Sequence, residues 1–401
     1  MERLNRSIAE SAASEAFDIN RSSPPRTIRV LQFGGGNFLR GFADWMIDLM
    51  NERLAVDCGI AVVQSISRER CRELSEGDCV YTVVVRGKSR GEIVESRRVV
   101  TSIRESLFYD DDFERISEIA ISPDLRFVVS NTTEAGIVYR PEQLISESLG
   151  VGAGGEAGMQ SFPARLARLL KLRFDRFGGS PESGLVFLPT ELIETNGRRL
   201  REIVLRHADE WGLGEDFKRW IAGDCVFCDT LVDRIVPGYP ANEIERLERS
   251  LGYRDPNLVT AEPYHLWVIE GPDGLLDELP LDRIGLNVVR TDDLQPYRTQ
   301  KVRVLNGAHT ASILAAWLCK PPESNDGGRG AARKPIDTVG EMMDDPVMGE
   351  FVRRLIFRDI LPTFAMPEPA KNAYAEAVIE RFGNPYLEHR LLDIALNSVS
   401  K

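Results

Sequence analysis

A lysine, an asparagine and a histidine lie close together in the segment KVRVLNGAHTA at 301–311. On a helix that turns about 100° per residue, Asn306 lies about 140° from Lys301 and His309 lies about 80° from it, so all three are able to face one cleft. A lysine whose pKa is lowered by burial exchanges protons with an alcohol, and amide and imidazole donors hold an oxygen that becomes an alkoxide. The trio suits proton transfer at a carbonyl, although its spacing alone favours a surface lysine, a capping asparagine and a structural histidine.

A glycine-rich turn joins the first clear strand, residues 27–33, to a helical segment. Glycines let a pyrophosphate approach the backbone, and the free N–H groups at the start of the following helix favour its charge. The pattern G-x-G-x-x-G is matched by Gly34 and Gly36, but Leu39 occupies the third glycine position. The turn indicates a dinucleotide site, with a purely structural turn as the alternative.

The residues expected to bind the cofactor ribose do not identify the dinucleotide. The second strand ends in QSISR at 64–68, which contains no acid, and Glu69 lies past the expected strand end. An acid at this point binds the ribose 2′-hydroxyl of NAD, whereas an arginine accommodates the 2′-phosphate of NADP. Arg68 is placed to pair with such a phosphate. The choice between NAD and NADP therefore stays open from these residues.

Three further polar segments follow strand-like runs, where α/β sheets bind ligands. They are SNTTEAG at 130–136, PTELIETNG at 189–197 and DTLVDRIVP at 229–237. Carboxylate and amide groups in the second segment are candidate substrate ligands, and an arginine in the third is able to grip a substrate carboxylate with two parallel hydrogen bonds. The structural alternatives are a polar turn, a helix cap and a buried ion pair.

The elements that carry these residues change character near residue 295. Before it, strands alternate with helical segments, which predicts an α/β domain with a largely parallel sheet. The strand candidates are residues 27–33, 60–63, 127–130 and 185–188, with a hairpin over 81–100. The later segments 302–319, 338–357 and 370–382 are all typical of helices, and residues 320–334 of a surface insertion. We expect a flexible arm over 1–26, a Rossmann-like domain over 27–294 and an all-α domain over 295–401.

Composition narrows the class of protein. The 401 residues include 50 basic and 62 acidic side chains, a net charge of −12, which argues against nucleic-acid binding. The most apolar run, at 311–318, is far shorter than the ~20 residues that cross a bilayer, and residues 1–17 lack the apolar core of a secretory signal.

Six scattered cysteines predict a reducing, cytoplasmic setting. Cys225 and Cys228 have no second pair, so packed thiols are expected there rather than zinc.

Taken together, the segments resemble the mannitol dehydrogenase family of long-chain, metal-independent polyol dehydrogenases. The matching segments occur in the family's order, as LQFGGGNFLRGF at 31–42, SNTTEAGI at 130–137, TLVDRIVPGYP at 230–240 and KVRVLNGAHTA at 301–311. The resemblance runs from residue 27 to the end. The segment NFLR at 37–40 favours the branch that acts on keto-uronates over the plain polyol branch. Relatives continue beyond the position of Lys401, so a truncated C-terminal domain is expected.

The resemblance implies reversible, NAD-dependent reduction of a keto-uronate, D-tagaturonate, to D-altronate, without a metal. It implies that Lys301 is the general acid/base and that Asn306 and His309 polarise the C=O group. It implies contacts to the cofactor from Gly34, Gly35, Gly36, Asn37, Phe38, Leu39, Arg40, Thr132, Thr133 and Glu134. The predicted substrate contacts are Glu191, Asn196, Asp233 and Arg234. The alternatives are a D-fructuronate reductase, a mannitol-type polyol dehydrogenase and an inactive nucleotide-binding relative; NADP and the oligomeric state stay open.

Overall fold

A computed structural model of the protein describes residues 1–11, 18–19, 27–132, 136–142, 161–318 and 336–386. The predicted insertion at 320–334 lies outside these residues. The chain divides into two compact units. The first unit consists of Met1–Val84, Ser96–Ala261 and His265–Leu294, and the second consists of Val85–Glu95, Glu262–Tyr264 and the described residues from Gln295 onward.

The strands of the described chain are β1 (Asp18–Ile19), β2 (Ile28–Phe33), β3 (Gly59–Gln64), β4 (Tyr81–Ser89), β5 (Glu92–Val100), β6 (Ile103–Phe108), β7 (Phe127–Ser130), β8 (Val186–Pro189), β9 (Val226–Phe227), β10 (Asp229–Asp233), β11 (Val259–Ala261), β12 (Leu266–Glu270) and β13 (Val288–Thr291). The α-helices are α1 (Arg6–Ser11), α2 (Asn37–Arg40), α3 (Ala43–Leu54), α4 (Arg68–Glu76), α5 (Phe113–Ala120), α6 (Phe162–Phe177), α7 (Asn196–Glu210), α8 (Glu215–Gly223), α9 (Ile244–Leu251), α10 (Leu275–Glu278), α11 (Gln295–Gln300), α12 (Ala308–Leu318), α13 (Val339–Asp344), α14 (Pro346–Arg354) and α15 (Glu368–Phe382). Two π-helical segments cover Lys301–Gly307 and Leu355–Ile360. Short 3₁₀ turns cover Pro181–Ser183, Asp282–Ile284 and Leu361–Thr363.

The largest sheet has six strands in the order β6-β3-β2-β7-β8-β9, and each neighbouring pair is parallel. Numbered among themselves, these strands run 3-2-1-4-5-6, which is the order of a doubly wound dinucleotide-binding sheet. The strand order reverses between β2 and β7, where such sheets bind their ligand. The predicted Rossmann-like fold with a mostly parallel sheet is confirmed.

The central strands are short apolar runs because helices cover both faces of a parallel sheet. Every residue of β3 is buried. On one face, α6 contributes Leu166 and Leu170 to a core that also holds Phe33 of β2 and Phe187 of β8. Helix α6 begins at a Ser161 cap and ends at Gly178, whose φ of +61° lies in the left-handed region.

Two smaller sheets were not predicted, with strand orders β1-β5-β4-β11 and β10-β12-β13. The predicted hairpin over 81–100 is formed by β4 and β5. The domain boundary at Gln295 reappears in the structure, but the hairpin tip Val85–Glu95 and the short stretch Glu262–Tyr264 also belong to the second unit. Within that unit the N–H of Gly91 donates to a carboxylate oxygen of Glu380 in α15, at 2.7 Å.

The predicted flexible arm is wrong over residues 1–11. The side chain of Leu4 is buried with Val80 and Leu251. Its N–H donates to the carbonyl of Arg254 at 2.8 Å, and the N–H of Arg254 donates to the carbonyl of Glu2 at the same distance. An apolar residue in an otherwise polar stretch therefore anchors the segment.

The second unit contains helices and, in its described part from Gln295 onward, no strand element. The predicted single helix over 338–357 is wrong, because it divides at residue 345. Pro346 has no N–H to continue the preceding helix and instead starts α14, while the Asp345 carboxylate caps the N–H groups of Val347 and Met348 at 3.0 Å. The predicted α-helix from residue 302 is π-helical as far as Gly307. None of the described helices is long and apolar enough to cross a membrane.

Candidate active site

The glycine turn follows β2, and its first and third glycines serve different purposes. Gly34 has a φ of +105°, and a Cβ there would lie 2.6 Å from the carbonyl oxygen of Asn131, so close packing against the end of β7 requires glycine. A Cβ at Gly36 would meet nothing within 4 Å. The space beside Gly36 is therefore open to a ligand, as a pyrophosphate site requires.

The helix after the turn is broken into two pieces, α2 and α3. Arg40, at the end of α2, is buried and donates to Asn37 Oδ1 at 2.7 Å and to the carbonyl of Asn257. Its guanidinium carbon lies 5.3 Å from the ring centroid of Tyr81, and burial lowers the pKa of Arg40. Leu39 is also buried. Both side chains are therefore directed into the interior, and the cofactor contacts of Leu39 and Arg40 stay predictions.

The other predicted residues of the turn are more accessible. Gly36 and Asn37 are exposed, whereas Gly34, Gly35 and Phe38 are half-buried. The exposed backbone at residues 36–37 is therefore the part of the turn best placed to receive a dinucleotide.

A buried acid that the sequence analysis missed lies beneath the turn. Gln32 Nε2 donates to the carbonyl of Gly34 at 3.0 Å and to the Asp44 carboxylate at 3.3 Å. Burial raises the pKa of Asp44 to about 7, although its hydrogen bond with Gln32 acts in the opposite direction. The only sequence signal was an acid in the apolar stretch after the glycines. The pair supports the backbone of the turn from inside.

Two of the predicted polar segments meet at the ends of β7 and β8. One carboxylate oxygen of Glu191 accepts from the N–H and the hydroxyl of Thr132, both at 2.9 Å, and the other accepts from the Ser130 hydroxyl at 3.0 Å. Burial raises the pKa of Glu191, and these hydrogen bonds oppose the shift. Glu191 is buried, so it orders the loop after β7 rather than presenting a carboxylate to a substrate. Thr133 and Glu134 lie outside the described residues.

Asn196 is fully buried, and both the nitrogen and the oxygen of its side-chain amide bond to backbone groups. Its Nδ2 group donates to the carbonyls of Pro189, Glu191 and Thr230 at 3.0–3.1 Å. Its Oδ1 accepts from the N–H groups of Gly197 at 2.9 Å and of Thr230 at 2.8 Å. In this environment Asn196 joins β8 to β10, and its contact with a substrate stays a prediction.

Asp233 and Arg234, at the end of β10, are both buried. Arg234 donates to the carbonyl of Gly41 at 2.7 Å, and its guanidinium lies 4.2 Å from the Trp45 ring centroid. The structure therefore brings the third polar segment to the far end of the glycine turn. The substrate contacts of Asp233 and Arg234 stay predictions.

In the second unit, the predicted trio lies on a continuous helical stretch with an unexpected geometry. Lys301 and Asn306 belong to the π-helical segment, and His309 lies in the first turn of α12. Hydrogen bonds from i to i+5 place Lys301 and Asn306 one turn apart, so they share a face that a 100° rotation would have separated. Asn306 is exposed, Lys301 and His309 are half-buried, and the His309 ring lies 5.5 Å from that of Phe382. π-helical turns are frequent at functional sites.

The described residues contain no group of three or more His, Cys, Asp or Glu side chains suited to a metal ion. Cys225 and Cys228 are free and buried, and burial raises the pKa of each thiol to about 12. The packed thiols predicted from the sequence are confirmed.

Comparisons with known proteins agree with this arrangement. Residues 28–283 match the mannitol dehydrogenase Rossmann domain, and residues 328–401 match the mannitol dehydrogenase C-terminal domain. Among curated proteins, the altronate oxidoreductases of Enterobacter sp. and Cronobacter sakazakii are each 42% identical over 387 residues, which is 96% of this chain and 75% of theirs.

Two solved structures share the fold. A D-sorbitol dehydrogenase in substrate-free form has a TM-score of 0.79 at 21% identity, covering 98% of this chain and 77% of its own. A Pseudomonas fluorescens mannitol 2-dehydrogenase in a ternary complex with NAD and D-mannitol has a TM-score of 0.71 at 22% identity, covering 97% and 75%. The strand order, the glycine turn and the matches to both domains lead to one conclusion: the chain belongs to the mannitol dehydrogenase family of oxidoreductases.

Proposed function

We propose that this chain is an NAD-dependent, metal-independent reductase of a keto-uronate, which converts D-tagaturonate to D-altronate reversibly. The observation that carries the proposal is the 42% identity to altronate oxidoreductases over 96% of the chain. The mannitol 2-dehydrogenase with the same fold contains NAD, which supports a nicotinamide dinucleotide. A small-molecule sugar acid is the substrate class, and a cytoplasmic location is part of the proposal.

The open space at Gly36 and the exposed backbone of Asn37 fit the pyrophosphate of a dinucleotide. The loop at Thr132, which Glu191 orders, is the next candidate for cofactor contacts, together with Thr133 and Glu134. When bound, NADH supplies the hydride that the carbonyl carbon receives.

Side chains of the second unit transfer the proton and bind the carbonyl oxygen. Lys301, as an ammonium ion, donates a proton from Nζ to the nascent alkoxide oxygen, and Asn306 and His309 hold that oxygen with hydrogen bonds. In the reverse direction, neutral Lys301 accepts the hydroxyl proton. Because oxidation releases a proton, high pH favours the formation of the keto acid.

The first test measures NADH consumption by the purified chain with D-tagaturonate, D-fructuronate and D-fructose, each repeated with NADPH. We expect turnover with D-tagaturonate and NADH. Turnover restricted to D-fructuronate or D-fructose would contradict the substrate and support the corresponding alternative. Binding of NADH without turnover of any of them would support an inactive relative.

Lys301→Ala tests the mechanism. We expect a loss of turnover of about 10²–10⁴-fold, the usual contribution of a general acid. Arg303→Ala is the matched control, because it also removes a cation from the π-helical segment. The Arg303 side chain donates to Thr363 and has no role in the proposed mechanism. Near-normal turnover of Lys301→Ala would remove Lys301 from the mechanism.

A further inference from the structure

An exposed ion pair stands at the edge of the large sheet beyond the glycine turn. Arg68 is the first residue of α4, directly after β3, and Asp111 follows the neighbouring strand β6. Arg68 Nε lies 2.7 Å from Asp111 Oδ2, and Arg68 Nη2 lies 3.0 Å from Asp111 Oδ1. The guanidinium carbon is 4.2 Å from the ring centroid of Phe108, the last residue of β6. The guanidinium is therefore fixed by two parallel hydrogen bonds and by stacking.

The pair remains accessible although it is well ordered. The Arg68 side chain is 59% exposed and that of Asp111 is 50% exposed, while Phe108 is buried beneath them. The hydrogen bonds between the two side chains raise the pKa of Arg68 and lower that of Asp111, so both stay charged. A ligand that reaches this edge meets a guanidinium whose charge is already matched.

The Arg68–Asp111 pair lies near the part of the sheet where the cofactor ribose is expected. In doubly wound dinucleotide-binding sheets, residues at the end of the strand next to the glycine strand bind the ribose 2′ position. Here that strand is β3, and its last residue, Gln64, lies opposite Phe108 in the register. Gln64 is buried and donates toward the Ser106 hydroxyl, at 3.4 Å. Arg68 is thus the first charged residue after the end of β3, and Asp111, three residues after Phe108, is the carboxylate that it contacts.

We propose that the Arg68–Asp111 pair selects against NADPH. The inference rests on the proposed dinucleotide site. Asp111 accepts from the Nε and Nη2 groups of the guanidinium, the edge that would otherwise hold a 2′-phosphate with two parallel hydrogen bonds. A phosphate that approaches the guanidinium therefore lies beside a carboxylate of the same sign, whereas the neutral 2′-hydroxyl of NADH meets no such repulsion.

The test compares dissociation constants for NADH and NADPH, measured by fluorescence titration of the full chain. We expect the wild-type chain to bind NADH more tightly. Asp111→Asn should lower the ratio of the NADPH constant to the NADH constant about tenfold, because a charge-assisted hydrogen bond to the 2′-phosphate becomes available. Asp111→Ala should shift the ratio in the same direction. Arg68→Gln added to Asp111→Asn should reverse the gain.

Asp110→Asn is the matched control. It removes the same charge one residue away, where the carboxylate faces Arg165 at 3.3 Å, and we expect the ratio to stay within about twofold of wild type. Equal wild-type affinity for both dinucleotides would overturn the inference alone, as would an unchanged ratio in both Asp111 variants. A shift of the same size in Asp110→Asn would also overturn it, since only the local charge would then matter. Failure to bind either dinucleotide would overturn the proposed function as well.

Discussion

Gly34 and Gly36 belong to the same turn, yet a methyl group at each has a different effect. Gly34→Ala combines a φ of +105° with a 2.6 Å approach to a carbonyl oxygen, so we expect a lower free energy of unfolding. Gly36→Ala has an ordinary φ of −70° and open space around it. We expect it to keep its thermal stability and to bind NADH more weakly, because the methyl group stands where the pyrophosphate approaches. Thermal unfolding and NADH titration of both variants check this prediction, and unchanged NADH affinity in Gly36→Ala would contradict it.

His207 links stability to pH. Its side chain is fully buried beside the rings of Tyr139, at 5.2 Å, and Trp211, at 4.8 Å, and burial lowers its pKa. Neither ring nitrogen has a hydrogen-bond partner among the described residues. The unfolded chain takes up a proton near pH ~6.5, where the folded ring stays neutral. The folded state is therefore favoured above that pH and loses stability as the pH falls through it.

We expect His207→Leu to flatten this acid-side loss of stability. Denaturant unfolding of both chains between pH ~8 and ~5 measures it, since the window spans the ordinary histidine pKa. The comparison at the alkaline end is the control, because both rings are neutral there and any difference reports packing alone. An equally steep acid loss in the variant would assign the effect to other groups.

At the scale of single residues, sequence reasoning found the glycine turn and a lysine, an asparagine and a histidine that share one helical stretch. Among the residues to which it assigned substrate roles, Glu191 and Asn196 have polar atoms that bond to the protein's own backbone and hydroxyls. The type of a residue shows which bonds it is able to form. It does not show whether a partner from a distant strand already occupies them.

Among the helices, α6 depends on an arginine in an apolar environment. Arg173 is buried and donates to the carbonyls of Ser183, Ala120 and Ser122, each at 2.7 Å, and to that of Leu125 at 3.2 Å. Burial lowers its pKa to about 10. These bonds connect the C-terminal half of α6 to the loops that precede β7 and β8.

Arg173→Met should therefore destabilise the chain by about 3 kcal/mol or more, because several carbonyl groups lose their donor. Arg176→Met makes the same chemical change at an exposed position of the same helix and should cost less than about 1 kcal/mol. Equilibrium unfolding in denaturant measures both. Equal effects would show that the carbonyl contacts of Arg173 contribute little.

At the scale of elements, the residue pattern predicted β2, β3, β7 and β8 of the large sheet, because these are short apolar runs, but it missed its edge strands β6 and β9. The break at Pro346 was readable from its missing N–H, but the apolar pattern continues through it. The π-helical segment Lys301–Gly307 leaves no clear signal in the residue types. The pattern analysis assumes 3.6 residues per turn, so it does not register a change in hydrogen bonding from i+4 to i+5.

Across the whole molecule, the second unit gathers three separate parts of the chain, and one buried ion pair connects two of them. Arg381 of α15 contacts both carboxylate oxygens of Glu262, at 3.0 and 2.8 Å, and both side chains are almost completely buried. Removing one member leaves a buried charge without its counter-charge, so Glu262→Gln should destabilise the unit by about 3–5 kcal/mol.

Glu376→Gln, an exposed change on α15, should stay within about 0.5 kcal/mol of wild type. Calorimetric unfolding of both variants tests the difference. A Glu262→Gln chain as stable as the control would contradict the role of the pair.

The boundary at Gln295 was predictable from the change in composition. The assignment of Val85–Glu95 and Glu262–Tyr264 to the same unit was not, because it depends on contacts between residues more than a hundred positions apart.

A π-helical turn accommodates one residue more than an α-helical turn, so the stretch that contains Lys301 and Asn306 behaves like a helix with one inserted residue. The relative positions of these side chains therefore depend on the number of residues in the segment as well as on their types. Loss of one residue between 302 and 307 would let the hydrogen bonds return to the α-helical pattern, in which residues seven apart lie within about 20° of each other around the helix axis, so the lysine and the histidine would still share a face. If the interval kept its full length but became α-helical, the same two residues would lie about 80° apart. The length of the interval and the wide turn within it therefore depend on each other, and a change in one without the other would separate the lysine from the histidine.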